Sequence, residues 1–349
     1  MENALLPRRS TRLAAVVIAA SMAGFGLAGC SNDSSRTADD KTITVYSGRS
    51  EELVAPILAA FTEETGIAVE ARYGDSAELA AQLIEEGDGS PADVFFAQDA
   101  GALGSVSNEE LLGVLPADTL EGIPAEYRST KGDWTGVTGR ARVIAFDSEA
   151  VDAADVPDSV FDLTDPQYKG EVAIAPTNAS FQSFVTAMRV SEGEEVTQKW
   201  LEDMVANDVQ KYDRNGLILD AVDSGEVTYG LINHYYWFEK ADELGADTLN
   251  AQLSFTEAGD PGSLVNVAGV GVLEGSIDDP DTLAFVEFLL SQETQELFVE
   301  ETSEYALLPG VEQVEGLTTL DELQGPDVDL ADLSSLPQTL ELLQEVGLT

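Results

Sequence analysis

Cysteine is nearly missing: the 349 residues contain one, Cys30, so no disulfide can form within the chain. That lone thiol lies near the N-terminus, which leaves no cysteine nucleophile and no cysteine–histidine zinc site in the body of the protein. Histidine is equally scarce. The single copy, His234, stands beside two tyrosines and leaves no independent base for a serine nucleophile. Glycine-rich phosphate loops of the Gly-x-x-x-x-Gly-Lys-Ser/Thr or Gly-x-Gly-x-x-Gly kind are absent. Basic charge is scarce as well. Lysine and arginine total 17 against 65 aspartates and glutamates, a formal net charge of −48. That balance argues against nucleic acid and against a basic membrane-binding surface. It fits steering of cations or simply a solvated acidic face, and it does not define a site. Among so many carboxylates a glycosidase-like pair is not a usable signal. Enzyme templates fail, and ligand binding is the better class.

The N-terminus has the form of an export signal. Arg8, Arg9 and Arg12 precede an apolar run from Leu13 to Leu27, too short for a comfortable membrane span. The run closes on Leu27-Ala28-Gly29-Cys30, the pattern of a bacterial lipoprotein signal whose cysteine is lipidated. Residues 1–30 are therefore expected to be a signal peptide and residues 31–40 a polar tether, with the protein held on the outer face of the cell membrane or in the periplasm.

Beyond the tether, short apolar strands alternate with helical stripes. Thr42–Tyr46, Ile67–Arg72 and Asp93–Ala97 read as strands, with helices over Glu51–Gly66, Ser76–Glu86 and Gly101–Glu110 between and after them. This order predicts an α/β fold with a parallel sheet covered on both faces. A second series starts at Val143–Phe146 and Glu171–Ala175. It continues through helices at Phe181–Ser191, Glu194–Ala206 and Leu217–Ser224, and a strand at Val227–Ile232. Val265–Leu273 reads as a long strand, and Asp281–Leu290, Thr294–Glu301 and Gln338–Val346 as helices. Two such units without a linker point to lobes joined by strands, with a ligand crevice at the strand ends.

The segment Asn233-His234-Tyr235-Tyr236-Trp237-Phe238 sits where a strand turns into a helix. On a strand, neighbouring side chains face opposite ways; at the start of a helix they are only about 100° apart. Tyr235 and Tyr236 can then converge on one point, with Asn233 or His234 capping the helix. Phenolate is a hard oxygen donor suited to a small, highly charged cation such as ferric iron. An amphipathic helix start burying four aromatics is the competing explanation of the same residues.

Four segments occur in order: Tyr46-Ser47-Gly48-Arg49-Ser50, Pro91-Ala92-Asp93-Val94-Phe95-Phe96-Ala97-Gln98-Asp99, Gly139-Arg140-Ala141-Arg142-Val143-Ile144 and Ile232-Asn233-His234-Tyr235-Tyr236-Trp237. Together they resemble the periplasmic ferric-iron-binding proteins of ABC transporters, the bacterial transferrins, over nearly all of residues 41–349. The resemblance implies a two-lobed type 2 periplasmic binding protein fold with the ligand cleft between lobes. Lobe 1 is expected over 41–139 plus 266–312, and lobe 2 over 140–265 plus 313–349. It implies Fe(III) held by Tyr235 and Tyr236 and handed to an ABC transporter permease by a monomer. Histidine and glutamate ligands used by part of the family are replaced here by Ser50 and Gln98. Tyr46, Gln98 and Asp99 are candidates to complete the metal site.

Two phenolates leave Fe³⁺ with residual positive charge, so a carbonate, phosphate or citrate anion is expected as well. Arg140, Arg142 and Arg49 are candidates to bind it through charge-assisted hydrogen bonds. Asn178 and Ser180 stand at a helix start, and Asn215 and Asn233 match polar cleft positions of the family. A polyamine, sulfate or phosphonate in the same cleft is the alternative cargo.

Overall fold

The computed structural model describes residues 41–349; the expected signal segment, Cys30 and the tether lie outside the described residues. The strands are β1 (Thr42–Ser47), β2 (Ala68–Tyr73), β3 (Val94–Ala97), β4 (Trp134–Asp147), β5 (Val172–Ile174), β6 (Gln210–Lys211), β7 (Tyr229–Asn233), β8 (Ala251–Ser254), β9 (Val265–Val272) and β10 (Tyr305–Ala306). The first helices are α1 (Glu51–Thr65), α2 (Ser76–Glu86), α3 (Ala100–Asn108) and the single turn α4 (Ala117–Leu120). They are followed by α5 (Ala179–Glu192), α6 (Glu194–Ala206), α7 (Asn215–Asp223) and α8 (Tyr235–Leu244). The last are α9 (Pro280–Leu289), α10 (Gln292–Thr302) and α11 (Leu336–Glu345).

The strands run in the order β2-β1-β3-β9-β4-β7-β5-β6, with β8 and β10 also paired to β4. The two flanks, β2-β1-β3 and β7-β5-β6, are parallel. The centre differs from the all-parallel sheet expected, because β9 and β4 run antiparallel to their neighbours. Strand–helix alternation specifies right-handed parallel units, but it carries no information about a long strand that returns between them. That strand is β4. It begins at Trp134, well before the expected Val143, and all its residues are buried. Its first half pairs with β9 as far as Ala141, and its second half pairs with β7 from Arg142 onward. Strand β8 escapes the sequence pattern because it is short, and β10 because it has only two residues.

Alternation along β4 divides its side chains between two cores. Ile144 and Phe146 join the main hydrophobic cluster, while Val143 and Ala145 join a smaller one with Ile218, Val222 and Ile232. Arg140 and Arg142 have the same parity as Ile144, so they leave the strand on one side. Close approach of α7 to β7 depends on Gly230, where a β-carbon would lie 2.3 Å from Ile218 Cγ2. The C-terminal segment reaches across the molecule. Leu333 and Ala331 press their carbonyls onto Gly101 and Gly104 of α3, whereas Thr339 of α11 is hydrogen-bonded to Thr186 of α5 at 2.7 Å.

Helix starts carry their own caps. Asp75 accepts from Ala77 N–H at 2.9 Å, Asp99 from Ala102 N–H at 2.9 Å, and Asn178 from Ser180 N–H at 3.0 Å. Each cap lies one residue before its helix, and α5 therefore begins at Ala179 rather than at Phe181.

Replacing Gly230 by valine overpacks the α7–β7 contact. A loss of about 1–3 kcal/mol is expected, read as a lower urea midpoint at unchanged slope.

Candidate metal centre

Helix α8 starts directly at the tyrosine pair, so both phenols leave its first turn. The rings stack at 4.4 Å between centroids with a 26° interplanar angle. The two phenols thus converge, as a strand-to-helix junction allows. His234 occupies the position before the helix but does not cap it. Its ring accepts from Ala141 N–H through Nδ1 at 3.2 Å, and its Nε2–H donates to the Ser303 carbonyl at 3.0 Å. Burial drives its pKa down to about 4, which keeps the imidazole neutral.

Arg142 lies beside the pair. Its Nη1 donates to Asn215 Oδ1 and to the Leu231 carbonyl, both at 3.3 Å, and its guanidinium carbon lies 5.5 Å from the Phe184 ring centroid. Its Nη2 has no partner among the described residues. Burial lowers the Arg142 pKa to about 9, opposed by Tyr235 and Tyr236. It remains a cation at neutral pH. Asn215 Nδ2 donates to Asn178 Oδ1 and to Ser180 Oγ, both at 3.1 Å. Arg140, Arg142, Ser180, Asn233, Leu264 and Asn266 enclose a cavity of about 10 Å³. That is space for roughly one water-sized group. The Tyr235 phenol is pushed well above its ordinary pKa, first by burial and then by Tyr236, with Arg140 pulling the other way.

Arg140 and Arg142 thus lie beside the tyrosine pair, Asn233 stands two residues before it, and Asn215 links Arg142 to Asn178 and Ser180. Other candidates have partners of their own. The Tyr46 hydroxyl is 3.3 Å from both carboxylate oxygens of Glu86, and it receives donors from Arg72 and Gln82 at 3.3 Å each. Its phenol belongs to a polar cluster under α2, because its place on β1 directs it toward Arg72 of β2. Gln98 engages the neighbouring structure through its main chain: its N–H donates to Ser76 Oγ at 2.8 Å and its carbonyl accepts from Arg140 Nη2. Asp99 caps α3, and its pKa is raised by burial against the pull of the Ala102 N–H and Arg140. Arg49 is committed to Glu304 through two hydrogen bonds, at 2.9 and 3.0 Å. It is thereby turned to a carboxylate rather than to an external anion.

Glu304 has no role assigned from its sequence context. It accepts from Arg49 and from Thr138 Oγ1 at 2.5 Å, with Arg140 Nε 3.9 Å away. Asn266 is a second residue that sequence reasoning passes over. It lies opposite Arg140 in the β4–β9 register, accepting from Ala100 N–H at 3.3 Å. A single asparagine in an apolar strand is the signal that points to it.

The sequence pattern of the bacterial extracellular solute-binding proteins matches residues 89–321. The chain belongs to that family. A Fe(3+)-binding periplasmic protein of Serratia marcescens is 35% identical over 310 residues, covering 88% of this chain and 91% of the relative. Iron-bound HitA of Pseudomonas aeruginosa superposes with a TM-score of 0.81 at 35% identity, covering 88% of this chain and 99% of HitA. A Trichodesmium protein (IdiA, FutA) in complex with iron and citrate ligands gives a TM-score of 0.75 at 26% identity, over 88% and 100% of the two chains. The fold of this solute-binding protein is the two-lobed type 2 arrangement, and its family carries solutes rather than catalysing reactions. Family membership makes it an extracytoplasmic protein with an ABC transporter permease as partner. Among the described residues no helix is long and apolar enough to cross a membrane, and no group of three or more His, Cys, Asp or Glu is placed to hold a metal.

Removing the Glu304 charge strands Arg49. Glu304→Gln is expected to lower stability by about 3–5 kcal/mol in a guanidinium melt. Burial alone raises the Glu304 pKa, but Arg49 and Arg140 outweigh it and the net shift is downward. Its stabilisation is therefore present above the ordinary glutamate value, about 4.3, and is lost as pH falls through the lower folded value. Wild-type stability should fall more steeply than that of the variant over this acid range.

Proposed function

We propose that the protein captures Fe(III) between Tyr235 and Tyr236 with the help of a small oxyanion, and delivers it to an ABC transporter permease for iron uptake. The observation that carries the proposal is the stacked phenol pair at the start of α8, beside the buried cation of Arg142. Two phenolates leave +1 on ferric iron, and Arg142 adds further positive charge at the same place. An anion such as carbonate, phosphate or citrate, received by Arg142 Nη2 and by Ser180 or Asn215, would offset both. The relatives named above support the cargo, since they are named for ferric iron or solved with it. The same names weigh against a polyamine, sulfate or phosphonate.

The lobe division follows β4. Its change of partner between Ala141 and Arg142 supports lobe 1 over 41–139 plus 266–312 and lobe 2 over 140–265 plus 313–349. The C-terminal segment touches α3 as well as α5, so it straps the two together. Residues 1–30 act as the export signal, with lipid on Cys30 holding a monomer at the membrane by the 31–40 tether. Tyr46 and Asp99 are not needed in this scheme, because polar partners already engage their side chains.

Titration of iron-free protein with ferric citrate, with and without bicarbonate, tests the proposal. A visible phenolate-to-iron charge-transfer band is expected. Absence of the band, or its survival in the Tyr235→Phe, Tyr236→Phe double variant, would sink the assignment. Acidity supplies a second check. Tyr235 is protonated in the iron-free protein because burial raises its pKa, so iron must displace that proton. Apparent affinity should rise with pH throughout the range below the phenol's pKa. An affinity independent of pH, measured against a competing chelator whose own protonation is corrected for, contradicts binding through phenolate.

A further inference from the structure

His234 is fully buried, and both its ring nitrogens bind main-chain groups from separate parts of the fold. Ala141 N–H can only donate, so Nδ1 carries the lone pair; the Ser303 carbonyl can only accept, so Nε2 carries the proton. One tautomer satisfies both contacts. The His234 main-chain N–H also donates to the Ala141 carbonyl at 3.0 Å. Ala141 is the last β4 residue paired with β9, and Arg142 is the first paired with β7. Ser303 ends α10 in the left-handed region, at φ 52°, and the next residue is Glu304 in its bonds to Arg49 and Thr138. One imidazole thus ties the residue before Tyr235 both to the point where β4 changes partners and to the exit of α10.

Filling space would not require this arrangement. The ring stands 4.7 Å from Tyr305 and 6.0 Å, edge-on, from Tyr235, and an apolar side chain of similar size would satisfy those contacts. Two directional bonds to different segments do something packing does not: they set the distance between those segments through a rigid ring. The first turn of α8 has no side-chain cap, so these two bonds add to the main-chain His234–Ala141 bond and the Trp237 Nε1–H bond to the Ala251 carbonyl in holding its start.

We propose that His234 is a positioning residue that couples the arrangement of β4 and the α10–β10 segment to the convergence of the two phenols. While both imidazole bonds are made, Tyr235 and Tyr236 stay stacked and aimed together. Moving the start of α8 away from the α10 exit, which β10 fastens to Gly139 of β4, breaks the Ser303 bond and frees the start of α8. Release of cargo is thereby linked to opening through one side chain. This inference rests on the tyrosine pair being the iron site.

With a single histidine in the chain, ¹⁵N-histidine labelling of the untagged full-length protein gives the signals of this imidazole alone. Gallium(III), diamagnetic, serves as the metal. In the gallium-loaded form the expected spectrum is a slowly exchanging Nε2–H with unprotonated Nδ1, and in the metal-free form a shifted, faster-exchanging one. Identical spectra in the two forms overturn the proposal. Two variants separate the bonds: His234→Asn keeps an acceptor for Ala141, and His234→Gln keeps a donor for Ser303. Each should still load iron, with a displaced charge-transfer maximum and roughly tenfold faster release to a competing chelator, the loss expected for one buried hydrogen bond. Should either variant fail to fold, the spectra of the wild-type protein decide. Folded variants with the wild-type band and release rate refute the coupling while leaving the iron assignment intact. A wild-type protein without the band refutes both.

Discussion

A buried charge has to be paired or solvated by fixed dipoles, and this constraint organises the middle of the molecule. Arg49, Arg140 and Arg142 are all buried around the central strands. Glu304 answers the first by two hydrogen bonds and lies near the second. Arg142 is bonded to no carboxylate among the described residues. It is held by an amide oxygen, a main-chain carbonyl and the face of Phe184, and its depressed pKa records that incomplete compensation. An interior with surplus positive charge next to two phenols is poorly suited to receive a bare cation. It suits a cation that arrives with an anion.

The backbone places these groups with little freedom. Residues two apart on a strand share a face, so Arg140 and Arg142 stand side by side wherever β4 goes. Because β4 changes partners between Ala141 and Arg142, one arginine sits against the β9 side and the other against β7, whose end leads into the tyrosine helix. Asn178, Ser180 and Asn215 are joined by four mutual hydrogen bonds at the starts of α5 and α7.

Much of this arrangement is legible in the amino-acid sequence, and the reasons are local. Tyr235 and Tyr236 adjoin at a strand-to-helix junction, and their convergence needs only the geometry of a single turn. Asn178 announces its cap by its place before an apolar helix. Arg140 and Arg142 follow from strand periodicity. Other residues carry no such local sign. Tyr46 and Tyr235 are both aromatic residues near strand ends, and nothing in their immediate sequence says that one phenol faces Glu86 and the other its neighbour. Glu304 is one of 65 acids, and its partner Arg49 lies 255 positions away. The alternation of strands and helices predicts the parallel flanks but not the antiparallel centre, since a returning strand has no local signature.

Composition and short-range spacing therefore determined by themselves that this is an acidic, disulfide-free α/β binding protein with two adjacent phenols presented at a helix start. Those properties depend on covalent neighbours and on the repeat of helix and strand. Only the tertiary structure decided which charges are paired, that Tyr46 and Arg49 are occupied elsewhere, and that the lone histidine bonds β4 and the exit of α10 rather than capping its own helix. Burial and Coulomb interaction act through space between residues far apart in the chain, and no sequence pattern of a few residues encodes such distances.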